Sequence, residues 1–282
     1  MSLLMNLHTP LIINLAPTGM LPTRSQSPYV PLTPQEIIEN VRSCFALGVS
    51  MVHLHARDQD HHASNDVKLY ADIIEGIRYH CPSIVIVTTT SGRNTQDITQ
   101  RASSLMLQGA SRPDMASLTL GSMNFASTAS INSPADITQL ARIMHEQGIK
   151  PELEIFDLGM VNFAKILIDK GLLSPPFYFN IILGNPATAQ LKLAHLASIV
   201  ADLPEQSIWS VGGIGRYQTA ANALGITMGH GVRTGLEDNL WYDNQRTQLA
   251  SNQQFVTRIV SLARTLDRAI ATPNDTRALL GL

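Results

Sequence analysis

The sequence predicts an α/β protein closed into a (β/α)8 barrel, and three observations carry that expectation. Short apolar runs that favour strands recur roughly every 30–35 residues along the chain. Each run is followed by a stretch in which apolar residues keep helical spacing. The turn after the first run, Ala16-Pro17-Thr18-Gly19, lacks the glycine-rich fingerprint by which an open doubly wound sheet binds a dinucleotide.

The expected strands are, in order, Leu11–Ala16, Met51–Ala56, Ile84–Thr89, Met115–Leu120, Glu152–Phe156, Tyr178–Leu183, Ile208–Val211 and Ile226–Arg233. Runs that are apolar on both faces suit a parallel sheet covered by helices. The helices between them have readable ends. Thr33-Pro34-Gln35-Glu36 offers an N-cap, a proline in the first turn and a glutamate at the third position, and that helix should stop at Gly48. Ser133-Pro134-Ala135-Asp136 repeats the opening and should run to Gly148, while Gly159 to Lys170 closes at Gly171. Further helices are expected over Ala187–Asp202 and Ser251–Arg268, with a short helical tail from Pro273. No linker, low-complexity segment or charge run divides the chain, so residues 1–282 are expected to form one domain.

Composition narrows the class of function. Twenty basic against 22 acidic side chains give a formal charge of −2, which argues against a nucleic-acid binder. No apolar run reaches the ~18 residues of a membrane span. The first apolar stretch, Pro10 to Pro17, is short and has no basic residue before it, so no signal peptide is expected. Two cysteines, Cys44 and Cys81, build no disulfide framework, and a cytoplasmic protein is expected.

Barrel chemistry sits at the C-terminal ends of the strands. At the second strand, period-two alternation puts His53 and His55 on one side, with Arg57 following them. Two imidazoles ~7 Å apart along a strand can converge on one divalent ion. The same pair is also what hydrogen-bonded core histidines look like. At the eighth strand, Arg233, Glu237 and Asp238 lie close together. Glu237 could complete a metal set of two histidines and one carboxylate, and Arg233 could hold Asp238 ionised as a base. An ordinary surface ion pair would have the same spacing. Glu152 and Glu154 share a face of the fifth strand, where one should meet an arginine. Thr88-Thr89-Thr90-Ser91-Gly92 ends the third strand with hydroxyls and amides that suit a carboxylate or an oxyanion. Gly212-Gly213-Ile214-Gly215-Arg216 lies where barrels often bind phosphate with backbone amides. His61, His62, His80, His145 and His195 fall in loops or helices and are given no role.

Taken in order, Ala16-Pro17-Thr18-Gly19, Leu32-Thr33-Pro34-Gln35-Glu36, His53-Leu54-His55-Ala56-Arg57-Asp58, Pro151-Glu152-Leu153-Glu154, Gly213-Ile214-Gly215-Arg216 and Arg233-Thr234-Gly235-Leu236-Glu237-Asp238-Asn239 resemble the β-keto acid cleavage enzymes. The resemblance runs from Pro10 to the tail. It implies a zinc-dependent TIM barrel, assembled as a homotetramer, that reacts a β-keto acid with acetyl-CoA. The products would be acetoacetate and the CoA ester of the remaining acyl group. It implies that His53, His55 and Glu237 are zinc ligands. Arg233, Asp238 and Glu154 become the charged group behind base catalysis, with Asp238 nearest the base role. Thr89, Ser117 and the amides around Gly92 are the expected substrate contacts, and Gly213, Gly215 and Arg216 those to the acetyl-CoA phosphates.

Two positions depart from the family pattern. Leu21 stands where members acting on an amino substrate carry a glutamate, so a cationic substrate would lack its counter-ion. Gly229-His230-Gly231 replaces the usual Gly-Gly-His, which could bring an imidazole toward the site. Met20, Leu21 and Met123 hint at an uncharged side-chain pocket, whereas Arg24 could serve a dicarboxylic acid. Two other readings use the same residues: a metal-dependent keto-acid aldolase or lyase without CoA, and a non-catalytic metal- or ligand-binding barrel.

Overall fold

A computed structural model describes residues 8–282. Eight parallel strands close on themselves: β1 (Ile12–Leu15), β2 (Met51–Leu54), β3 (Val85–Thr88), β4 (Met115–Thr119), β5 (Lys150–Ile155), β6 (Phe177–Leu183), β7 (Ser207–Gly213) and β8 (Gly231–Thr234). Each pairs with its neighbours in sequence, and β1 pairs β8 with Asn14 opposite Arg233. The helices α1 (Pro34–Phe45), α2 (Val67–His80), α3 (Ile98–Arg101), α4 (Pro134–Gln147), α5 (Leu158–Asp169), α6 (Leu193–Asp202), α7 (Gln218–Met228), α8 (Asn252–Thr265) and α9 (Pro273–Leu280) follow the strands. Among the described residues no helix is long and apolar enough to cross a membrane.

Local chemistry explains the boundaries. α1 begins with a capping box: Thr33 accepts from the Glu36 N–H, and the Glu36 carboxylate accepts from the Thr33 N–H. α4 begins the same way at Ser133 and Asp136, and ends at Gly148 with φ of 62°, where a side chain would be strained. The expected eighth strand began too early. Ile226, Thr227 and Met228 form the last turn of α7, and its final carbonyls are held by the buried Arg268 guanidinium, which donates to Ile226 and Gly229. The expected sixth helix also began too early, because Gly184 to Lys192 make a turn closed by the Gly184 N–H to the Ala189 carbonyl. Two short hairpins were not anticipated: Ala56–Arg57 with Ala63–Ser64 after β2, and Met123–Asn124 with Ala129–Ser130 after β4.

The two barrel ends are built differently. At the N-terminal end, Ala271 before α9 and Leu280 within it pack on Ile12, Met51, Val85, Met115 and Tyr178, so the tail forms a floor. The Arg277 guanidinium fixes that helix to the Ser83 and Ile84 carbonyls and to Asp114. The C-terminal end stays open, and the polar strand ends gather there.

Candidate active site

β2 directs His53 and His55 into the barrel mouth, with their Nε2 atoms 3.2 Å apart. His55 Nε2 also lies 3.3 Å from Glu237 Oε1, on the loop after β8. One donor atom from each of these three side chains lies within 4.8 Å of the other two. The second Glu237 oxygen, Oε2, is buried and has no hydrogen-bond partner. Gly19 (φ +66°) makes room for this side chain, since a Cβ there would sit 2.5 Å from Glu237 Cγ.

Behind His53 lies a network that fixes its ring. His53 Nδ1 is 2.7 Å from Glu152 Oε2, and the other Glu152 oxygen accepts from the Asn14 and Asn180 amides at 2.6 and 3.0 Å. An ionised Glu152 keeps a proton on His53 Nδ1, so the lone pair that His53 offers once it gives up its second proton is on Nε2, facing the mouth. Burial opposes charge on Glu152, but His53 outweighs it and holds the carboxyl below its ordinary value. Burial likewise opposes charge on His53, yet Glu152 and Glu237 raise its pKa to about 9. At His55 burial wins, and the value falls to about 4. His53, Glu152 and Glu154 also come within 4.8 Å of one another, but Glu152 and Glu154 are already committed to neighbouring donors.

Arg233 is the hub of the remaining charges. Its guanidinium grips Asp238 with two hydrogen bonds, at 2.9 and 3.2 Å, and reaches Glu154 at 3.1 Å and Glu237 at 2.7 Å. Glu154 is also bonded by the Thr119 hydroxyl at 2.8 Å. Of the two glutamates of the fifth strand, Glu154 meets an arginine, as expected of one of them, and Glu152 orients a histidine, which the sequence does not predict. Burial, helped by Glu237 and opposed by Arg233, holds the Asp238 carboxyl above its ordinary value. Arg233 therefore does not keep Asp238 unusually acidic. It keeps it in place.

Other expected contacts are arranged differently. Thr89 lines the mouth together with Ser91. Ser117 lies beneath them, buried, where its hydroxyl accepts the Thr90 N–H and its carbonyl accepts the Thr90 hydroxyl. Gly92 is a packing residue, because a Cβ there would meet the Ile131 carbonyl at 2.5 Å. Gly213 backs against Tyr217 and Ala221, with no room for a Cβ, and Gly215 donates its N–H to the Asp238 carbonyl at 2.7 Å. Arg216 is exposed and faces the Tyr217 ring, outside the mouth lining. Arg57 lies outside the mouth lining and clamps the first loop through the Gly19 and Pro22 carbonyls. His230 lies at the opposite end of the barrel, accepting the Trp209 N–H. Arg24 is committed to Glu36 by two hydrogen bonds and does not line the mouth.

The residues that sequence alone does not reveal are Asn14, Asn180, Thr119 and Arg93. Asn14 and Asn180 sit within strands and Thr119 ends β4, all three on inward faces. Arg93 lies in a loop, one residue past Gly92, where no periodicity speaks.

A parallel barrel with ionised groups and two imidazoles converging at its C-terminal mouth defines a (β/α)8-barrel enzyme. The family model described as beta-keto acid cleavage enzyme matches residues 10–282, and the chain belongs to that family. It is 36% identical over 273 residues to a 3-keto-5-aminohexanoate cleavage enzyme of Fusobacterium nucleatum, covering 96% of this chain and 98% of that one. It is 36% identical over 277 residues to a 3-oxoadipate:acetyl-CoA acetyltransferase of Cupriavidus necator, covering 97% and 95%. Among solved structures, apo ObcA superposes with a TM-score of 0.82 at 20% identity, covering 91% of this chain and 66% of that one. That likeness shows the fold.

Proposed function

We propose that this enzyme reacts a β-keto acid with acetyl-CoA at the barrel mouth, releasing acetoacetate and the CoA ester of the remaining acyl group. The observation that carries the reading is the convergence of the His53, His55 and Glu237 donor atoms beside an Asp238 gripped by Arg233. The three side chains fit a divalent cation: Glu237 Oε2 is buried without a partner, and Glu152 presets the His53 lone pair. Two imidazoles and one carboxylate suit zinc, which is the metal proposed. Bound there, it would polarise the substrate's keto oxygen as a Lewis acid.

The chain's own groups account for the proton and carbon chemistry. Asp238, in a raised-pKa environment, takes a proton from the carbon between the keto and carboxylate groups. Arg233 holds that carboxylate on two bonds, so the base approaches from one direction. The resulting carbanion attacks the acetyl carbonyl of acetyl-CoA, forming a carbon–carbon bond and expelling CoA thiolate. The thiolate adds to the original keto carbon, the bond to the neighbouring carbon breaks, and Asp238 returns its proton to the departing acetoacetate. The Thr89 and Ser91 hydroxyls line the same space and are available to the substrate's oxygens. A homotetrameric assembly, which rests on the family resemblance, and a cytoplasmic location and a single domain over 1–282, which rest on the sequence, belong to the same proposal.

The test uses purified enzyme of measured metal content, acetyl-CoA and a β-keto acid. Acetoacetate and an acyl-CoA should form together, and only when acetyl-CoA is present. Cleavage without acetyl-CoA would make the enzyme a lyase and overturn the proposal. His53→Ala should lose both metal and turnover while keeping the circular dichroism of the parent.

A further inference from the structure

Arg93 is a cation inside the mouth that makes no ion pair among the described residues, although the charges of Glu237, Glu154 and Asp238 reach it. It lines the same cavity as His55, Glu237 and Asp238. Among the described residues its guanidinium forms no ion pair, and its Nε is buried with no hydrogen-bond partner. Arg233, by contrast, is surrounded by three carboxylates. Leaving a buried donor unsatisfied is costly, and a side chain that lines a cavity can offer such a donor to whatever binds there.

The position of Arg93 is fixed rather than floppy. Its guanidinium stacks over the Phe125 ring at 3.7 Å, and Phe125 meets Phe156 edge to face at 6.0 Å. Its own backbone N–H is held by the Ser91 hydroxyl. Below it, Arg101 ties the loop down through the Thr90 carbonyl and Asn132. Phe125 lies in the loop after β4, and Phe156 follows β5. In the closed order of strands, β4 and β5 lie across the barrel from β1, whose flanking strands β2 and β8 supply the histidines and Glu237. The aromatic seat of Arg93 therefore faces the reacting groups across the mouth.

Met20, Leu21, Met123, Ile182 and Ile214 line the same cavity beside the Thr119 and Ser130 hydroxyls, and its three carboxylates, Glu154, Glu237 and Asp238, are already held by Arg233, so no free one receives a cationic substrate. Arg93 would repel such a substrate, and a neutral one would leave its buried Nε unpaired.

Building on the reaction proposed above, we infer that Arg93 determines specificity by pairing with a second carboxylate at the far end of the substrate, so the preferred class is a 3-oxo dicarboxylic acid. The first carboxylate and the keto group face the His53, His55 and Glu237 end, and the second reaches the fork held flat on Phe125. A planar guanidinium matches a carboxylate with two parallel hydrogen bonds, which lysine does not reproduce.

The test compares kcat/KM of the metal-loaded enzyme and its Arg93→Met variant on three acids of one chain length. These are 3-oxohexanedioate, 3-oxohexanoate and 5-amino-3-oxohexanoate. The parent should prefer the diacid by about 100-fold over the neutral acid, and R93M should erase most of that ratio. Arg93→Lys should recover only part of it. An equal loss on all three acids would place Arg93 on the shared carboxylate and overturn the inference. So would a rise confined to the KM for acetyl-CoA, or a parent that shows no preference for the diacid. Calorimetric binding of unreactive adipate against hexanoate separates this inference from the reaction itself. With no turnover on any acid the proposed reaction fails, while adipate binding that R93M abolishes still sustains the Arg93 assignment. Equal binding of adipate and hexanoate by the parent would overturn it.

Discussion

At the scale of single residues, the site depends on which partner each charge faces. Glu152 and Glu154 occupy one face of one strand, two residues apart, yet they do different things. Glu152 meets His53, Asn14 and Asn180 in the barrel interior, and Glu154 meets Arg233 and Thr119 nearer the mouth. Glu152→Gln should therefore weaken metal binding by about 10–100-fold, because it removes the charge that orients the His53 ring. Metal titration into the stripped protein reads this directly. Asp238→Asn should keep the metal and lose at least about 100-fold in kcat. Loss of the metal with D238N would mean that base and ligand had been exchanged. Alternation along β2, β5 and β8 is enough to bring His53, Glu154 and Arg233 to one place, and His55, Glu237 and Asp238 follow just past the ends of β2 and β8. It says nothing of depth along the barrel axis, which is why the task of Glu152 is not legible in the sequence. Arg93 escapes for another reason: its direction is set by stacking on a loop distant in the chain.

At the scale of elements, helix starts are legible because capping chemistry is local, and strand starts are less so. Thr33 and Ser133 each cap a helix as their sequence motifs predict, and Ser251 and Thr272 cap two more in the same way. Ile226 fits a strand by composition and a helix by neighbourhood, and packing of α7 on β7 and β8 decides for the helix. The start of α1 carries a pH-dependent contribution. Burial disfavours the charge of Glu36, but the Leu32 and Thr33 N–H groups and Arg24 outweigh it and lower the pKa below 4.5. A lowered folded value means that this stability is fully present above the unfolded pKa and is lost as pH falls through the folded one. The stability gap between the parent and Glu36→Gln, measured by denaturant unfolding, should thus be constant near neutrality and shrink below about pH 4.5. Thr33→Ala should cost about 1 kcal/mol at any of these pH values.

At the scale of the whole molecule, eightfold closure follows from the count and spacing of strands, whereas the role of the last helix does not. Composition marks α9 as an ordinary amphipathic tail, and only the tertiary structure turns Leu280 inward under the barrel. Leu280→Ala should lower stability by about 2–5 kcal/mol, the range for emptying a well-packed leucine site. Metal affinity at the opposite end should stay unaltered. A chain ending at Thr272 should unfold at markedly lower denaturant for the same reason.

Because Ala271 and Leu280 seal the end opposite the reacting groups, the floor is made from chain that follows all eight strands and leaves the ribosome after them. Strand β1, made early, likewise waits for β8 before its free edge is paired. During synthesis the growing protein is an incomplete ring with an apolar underside, which invites contact with other chains. The ring closes and the underside is covered in nearly the same stretch of translation, so the interval of exposure ends only when α9 is free to fold.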